Sequence, residues 1–166
     1  TEIYTLSLHD ALPILLETLN LHHHTSEIML LPAEIESKTL IPALRAILAK
    51  KLAEEHDIRE EEISKMLGVT QAAISNYIRG TRGDPSLIAK LLAEKQVAQL
   101  INELCDHLSS DLAYTPSSLS KFIGLCNYIK SSLLICEIHH NLESNIDEQV
   151  CKECENMLLK GPGSVY

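Results

Sequence analysis

Between Arg59 and Gly80 the apolar residues fall on two short helical stripes separated by a glycine. In the first stripe Ile63 and Leu67 stand four residues apart, on one helix face, with Ser64 beside them as a small residue where another helix can come close. Gly68 supplies the turn, because only glycine enters the left-handed region without steric cost. Val69 fills the corner, and Thr70 is an N-cap for a second helix from Gln71 to Arg79. Ile74 and Ile78 point inward from that helix. Gln71, Ala72, Ser75, Asn76 and Arg79 are left facing out.

The same periodicity extends on both sides. Pro42 sits where a helix begins, and Leu44, Ile47, Leu48 and Leu52 follow on one face. This helix is expected to pack behind the pair, leaving Arg45, Lys50 and Lys51 solvated or near phosphate. Thr81 to Asp84 reads as a loop, and Asp84-Pro85 as a cap and first turn. Leu87, Ile88, Leu91 and Leu92, then Val97, Leu100, Ile101 and Leu104, predict helix for about twenty residues. Its first half is expected to close the core, and its second half to connect to the C-terminal region or pair with a second copy. Thr115-Pro116 starts another helix, with Leu119, Phe122, Ile123, Cys126 and Ile129 on one side. The chain therefore reads as all-α.

The outward set on the second helix is short, polar and rich in donors. Such a helix enters the major groove N-terminus first, where Gln and Asn pair with adenine and Arg with guanine. The offsets of small residue, glycine, cap and apolar positions resemble those of λ-repressor-like (XRE-type) helix-turn-helix regulators, and -ISNYIRG- is similar to the end of their recognition helix. The resemblance implies duplex DNA as partner, with Lys65, Thr70, Gln71, Ala72, Ser75, Asn76, Arg79 and Arg82 at the interface. That class often starts its first motif helix with a Gln that clamps a phosphate. Here Arg59, Glu60, Glu61 and Glu62 stand there, and only Arg59 has the charge for that role. The segment from Met29, with its Leu-Pro-Ala-Glu and Ile-Pro-Ala-Leu-Arg-Ala phrases, resembles the opening of archaeal regulators of this kind. Some of those carry a thiamine-phosphate-binding domain, for which this chain has no room.

A formal charge of −9 is unexpected for a DNA-binding chain, so its distribution matters. Lys38 to Lys95 holds ten basic and eight acidic residues, whereas Gln96 onward holds four basic and nine acidic. The acidity lies outside the motif, and the weak local positive balance predicts modest affinity for one copy and a homodimer on DNA. Residues 1–14, TEIYTLSLHDALPI, resemble the translated read-through of a sequencing adapter. Residues 1–28, including His22, His23 and His24, are accordingly read as a non-native or disordered leader, and Met29 as the start. The expected organisation is a helix-turn-helix domain over 29–95 and a helical connector with a Cys-rich region over 96–166. Neither a secretory signal nor a membrane span is legible, which predicts a cytoplasmic protein. One Phe and no Trp argue against stacking on single strands. No nucleophile–base constellation or glycine-rich phosphate loop suggests an enzyme, and nothing identifies a small-molecule substrate.

Five cysteines remain. Cys105, beside Leu104 and Leu108, reads as a small core residue. Cys151 and Cys154 form a C-x-x-C pair whose thiolates can converge on one ion, and Cys136 with His139 makes a second knuckle of the same spacing. Two ligand sets stay open. One is Cys136, His139, Cys151 and Cys154, suited to structural zinc; the other is Cys126, Cys136, Cys151 and Cys154, suited to zinc or an iron–sulfur cluster. His140 is an alternative to His139, though the spacing favours His139. Inert thiols and a Cys151–Cys154 dithiol switch are the competing readings. The sequence thus points to a dimeric duplex-DNA-binding regulator whose metal or cluster senses metal or redox state. The alternative is a protein-interaction adaptor with a structural zinc knuckle.

Overall fold

The computed structural model describes residues 30–111, 115–143 and 145–160. The leader over 1–28, its three histidines and the Met29 start lie outside the described residues. Those that are described form helices and connecting turns, with no strand among them. The order is α1 (Pro32–Ile35), a π-helical turn (Glu36–Leu40), α2 (Ile41–Glu54), α3 (Glu60–Leu67), α4 (Gln71–Ile78), α5 (Pro85–Ala93), α6 (Lys95–Asp111), α7 (Pro116–Ser131), α8 (Cys136–Leu142) and α9 (Glu148–Lys160).

Pro42 explains the π-helical turn. A proline inside a helix lacks an N–H and its ring presses on the carbonyl four residues back, so the chain widens by one residue ahead of it. The Ile41 N–H accordingly reaches the Glu36 carbonyl. Helical structure thus runs on from Pro32 instead of starting at Pro42.

α2 is the central element, packed against α3, α4, α5 and α6. Leu44, Leu48 and Leu52 are wholly buried and Ile47 nearly so, as the periodicity predicts. Asp84 caps α5 by accepting from the Leu87 N–H at 2.7 Å, also as predicted. The expected twenty-residue helix is instead two. Glu94 is extended (φ −79°, ψ 112°), and α6 restarts at Lys95. From Leu91 to Val97 is about 600° of helical rotation, which would turn Val97 away from the core if the helix continued. Breaking at Glu94 buries both completely.

Thr115 caps α7, accepting from the Ser118 N–H at 3.1 Å. The buried side of α7 is Ser118, Leu125, Cys126 and Ile129, while Leu119 and Ile123, expected on that side, are 38% and 49% exposed. The buried side chains form one cluster running from Ile35 to Ile135, so the core passes from α5 into α6 and α7. Ion pairs tie the C-terminal helices to the first half: Lys130 to Glu36 at 2.8 Å, and Lys90 to Glu137. The Leu30 N–H donates to Glu143 Oε2 at 3.1 Å. α9 packs on α7, and over residues 148–159 none of its side chains is fully buried. Among the described residues, no helix is long and apolar enough to cross a membrane.

Candidate nucleic-acid interface

α3 ends in a left-handed Gly68 (φ 62°), and the Val69 N–H closes the turn on the Ser64 carbonyl at 3.1 Å. Thr70 is extended and its hydroxyl accepts from the Ala73 N–H at 3.2 Å, so α4 starts where the sequence predicts. Its other end is closed as well. The Gly80 N–H bonds to the Tyr77 carbonyl at 3.1 Å and the Thr81 N–H to the Asn76 carbonyl at 3.0 Å, with Gly80 left-handed at φ 71°. This is the paired closure of a Schellman motif. Ile63, Met66 and Leu67 of α3 and Ala73, Ile74 and Tyr77 of α4 are buried. Ile78 packs half-buried against the core as expected, and Tyr77, which the sequence reading did not assign, is buried beside it. The tyrosine lies on the same stripe as Ile74, three residues on, and that spacing was the available signal. Its hydroxyl has no hydrogen-bond partner among the described residues, and the Arg82 guanidinium sits 5.1 Å from the ring centroid.

Gln71, Ala72, Asn76 and Arg79 are exposed on α4, and Ser75 is half-buried. Arg79 folds back on its own helix, its Nε donating to the Ser75 carbonyl and its terminal nitrogen to Asn76 Oδ1, both at 3.2 Å. Lys65 pairs with Glu61 at 2.8 Å, and the lysine raises its affinity for a proton while the carboxylate lowers its own, chiefly through that hydrogen bond. Arg59 stands at the N-cap position of α3, exposed. The arrangement is a short, doubly capped helix that offers a polar face and is held by a companion helix across a glycine turn.

Such a unit in an all-helical bundle defines a λ-repressor-like helix-turn-helix fold. The comparison with known families agrees: residues 50–94, from the last turns of α2 to Glu94, match the helix-turn-helix family. No curated protein matches the chain, and no solved structure does.

The thiols divide into two neighbourhoods. Cys126 is buried on α7 with Glu36, Lys130 and Arg45 as its charged neighbours, and burial pushes it up to about 12. Cys136, Cys151 and Cys154 lie near one another where α8 meets α9; burial, followed by the Cys154 and Cys151 thiols, pushes Cys136 up to about 11. Cys154 is raised by burial first, then by the Cys151 thiol and Glu155. His140 Nε2 lies 3.4 Å from Cys151 Sγ, whereas His139 Nε2 lies 3.1 Å from Glu143 Oε2. The structure therefore sets three of the four expected thiols in one neighbourhood, with His140 beside Cys151 and His139 turned to Glu143, and leaves Cys126 on α7 in another. Among the described residues, no three His, Cys, Asp or Glu side chains converge closely enough to hold a metal ion.

Proposed function

We propose that this protein is a transcription regulator that reads duplex DNA with α4, as a homodimer on a two-fold site. The observation that carries the reading is the exposed Gln71, Asn76 and Arg79 face on a helix capped at both ends, within the segment that matches the helix-turn-helix family. Phosphate contacts fall to Arg59, Lys65, Thr70 and Arg82, and base contacts to Gln71, Ala72, Ser75, Asn76 and Arg79. The test is selection from a random duplex library, followed by affinity measurements with Asn76→Ala and Arg79→Ala. Recovery of a two-fold motif, and a loss of about 1–3 kcal/mol for each variant on that motif, is the expected result. Failure to enrich any sequence overturns the reading.

The C-terminal half supports a finer proposal, in which Cys136, Cys151 and Cys154 take a thiophilic metal or cluster. The donor chemistry favours zinc or an iron–sulfur centre. Elemental analysis of iron, zinc and sulfide in protein purified without oxygen decides between them. Absence of all three removes metal and cluster sensing from the reading and leaves the Cys151–Cys154 dithiol as the one redox input proposed. The half-exposed Val150, Met157 and Leu159 of α9 favour a second reading, a protein-interaction adaptor. Under that reading the α4 variants leave partner binding intact.

A further inference from the structure

A cleft of about 330 Å³ opens between the helix-turn-helix unit and the helices that follow it. Its apolar lining includes Met66 and Leu67, the last two residues of α3, with Leu104 and Leu108 of α6 and Leu119 and Ile123 of α7. The same cleft is lined by three charged side chains, Arg45, Glu36 and Lys130. All three act on the Cys126 thiol, which places them in one neighbourhood. Lys130 and Glu36 neutralise each other at 2.8 Å, both about one-fifth exposed. Arg45 is half-buried and has no hydrogen-bond or ion-pair partner among the described residues.

That combination is chemically incomplete. Arginine stays charged at any ordinary pH, and a partly desolvated guanidinium without a counter-ion is costly. Its planar fork matches a carboxylate bidentately. Meanwhile Leu119 and Ile123 hold apolar surface in water beside it, although the sequence gives them the core stripe of α7. From these observations we infer that the cleft is a binding site for a small amphiphilic carboxylate. Its carboxylate pairs with Arg45, and its apolar body covers Leu119, Ile123, Leu104 and Met66. The volume is at the low end of small-ligand sites, about 300–1,000 Å³, so the ligand is a single short chain or ring.

The test is calorimetric titration of decanoate into the full chain, with decanol as the uncharged comparison. It needs no DNA, so its outcome is independent of the regulatory reading. Decanoate is expected to bind saturably, one per chain, with decanol at least ten-fold weaker. Arg45→Gln is expected to weaken decanoate at least ten-fold while leaving decanol unchanged. Should Arg45→Gln fail to fold, Ile123→Asp serves instead: its position is half exposed, and the added carboxylate is expected to weaken decanoate by a similar factor. No saturable decanoate binding overturns the inference. So does equal affinity for the acid and the alcohol, or unaltered decanoate binding in whichever of the two variants folds.

Discussion

Gly83 is the residue at which the loop after α4 has least room. Its φ is 95°, and a Cβ there would stand 3.0 Å from the Ala46 Cβ and 3.3 Å from Ile88 Cδ1. Gly83→Ala therefore meets both a backbone penalty and a collision with α2, and is expected to lower stability by about 1–3 kcal/mol in urea unfolding. Gly68, with nothing near its missing Cβ, carries only the backbone part. Cys105 makes a second residue-scale prediction. It is 1% exposed, and burial pushes its thiol from the usual 9.0 to about 12. Below pH 9 both folded and unfolded chains keep the proton, and the contribution to stability is complete. As pH rises from 9 towards 12 the unfolded chain releases it first, so stability falls through that window. Cys105→Ala is expected to lose less stability than the wild type between pH 9 and 11, measured as thermal midpoints across that range.

At the scale of elements, α4 depends on its two closures, since eight residues are too few for a helix to persist on propensity alone. Thr70→Ala removes the acceptor for the Ala73 N–H and is expected to cost about 1 kcal/mol, read from the unfolding midpoint. Thr70 and Gly68 were legible in the sequence because a cap and a left-handed turn are local: each restricts the residue type at its own position. The same holds for Asp84 and Thr115. The break at Glu94 was less so, because apolar residues continue on both sides of it and only their phase changes. Leu119 and Ile123 misled for a related reason. Periodicity says which residues share a face, but not whether a neighbouring helix arrives to cover the whole of it. Arg45 is the extreme case, a cation whose surroundings come from α2, the π-helical turn and α7 together. The outward polar set of α4 was legible because both neighbours on its inner face are close in sequence. The position of His140 beside Cys151, by contrast, depends on how α9 folds back.

For the whole molecule, charge sets the expected response to salt. Of the cations assigned to phosphate contacts, Lys65 is already paired with Glu61, which leaves Arg59 and Arg82. Two released counterions per copy predict a log–log salt slope of about −2 per bound copy. Anisotropy titrations of a selected duplex at several KCl concentrations check this, and a slope steeper than about −6 per copy means that other basic residues join the contact. Another property belongs to no single helix. The buried cluster crosses the α5–α6 junction without a gap, although the extended Glu94 gives that junction the outward look of a boundary. Leu87 and Leu91 on one side and Val97 and Ile101 on the other are buried in the same cluster. A recombination event that joined the first five helices to a foreign partner at position 95 would leave that apolar surface bare. The unit that can be inherited intact by another protein must carry α6 with it, and the reading head of this chain is therefore less portable than its sequence motif suggests.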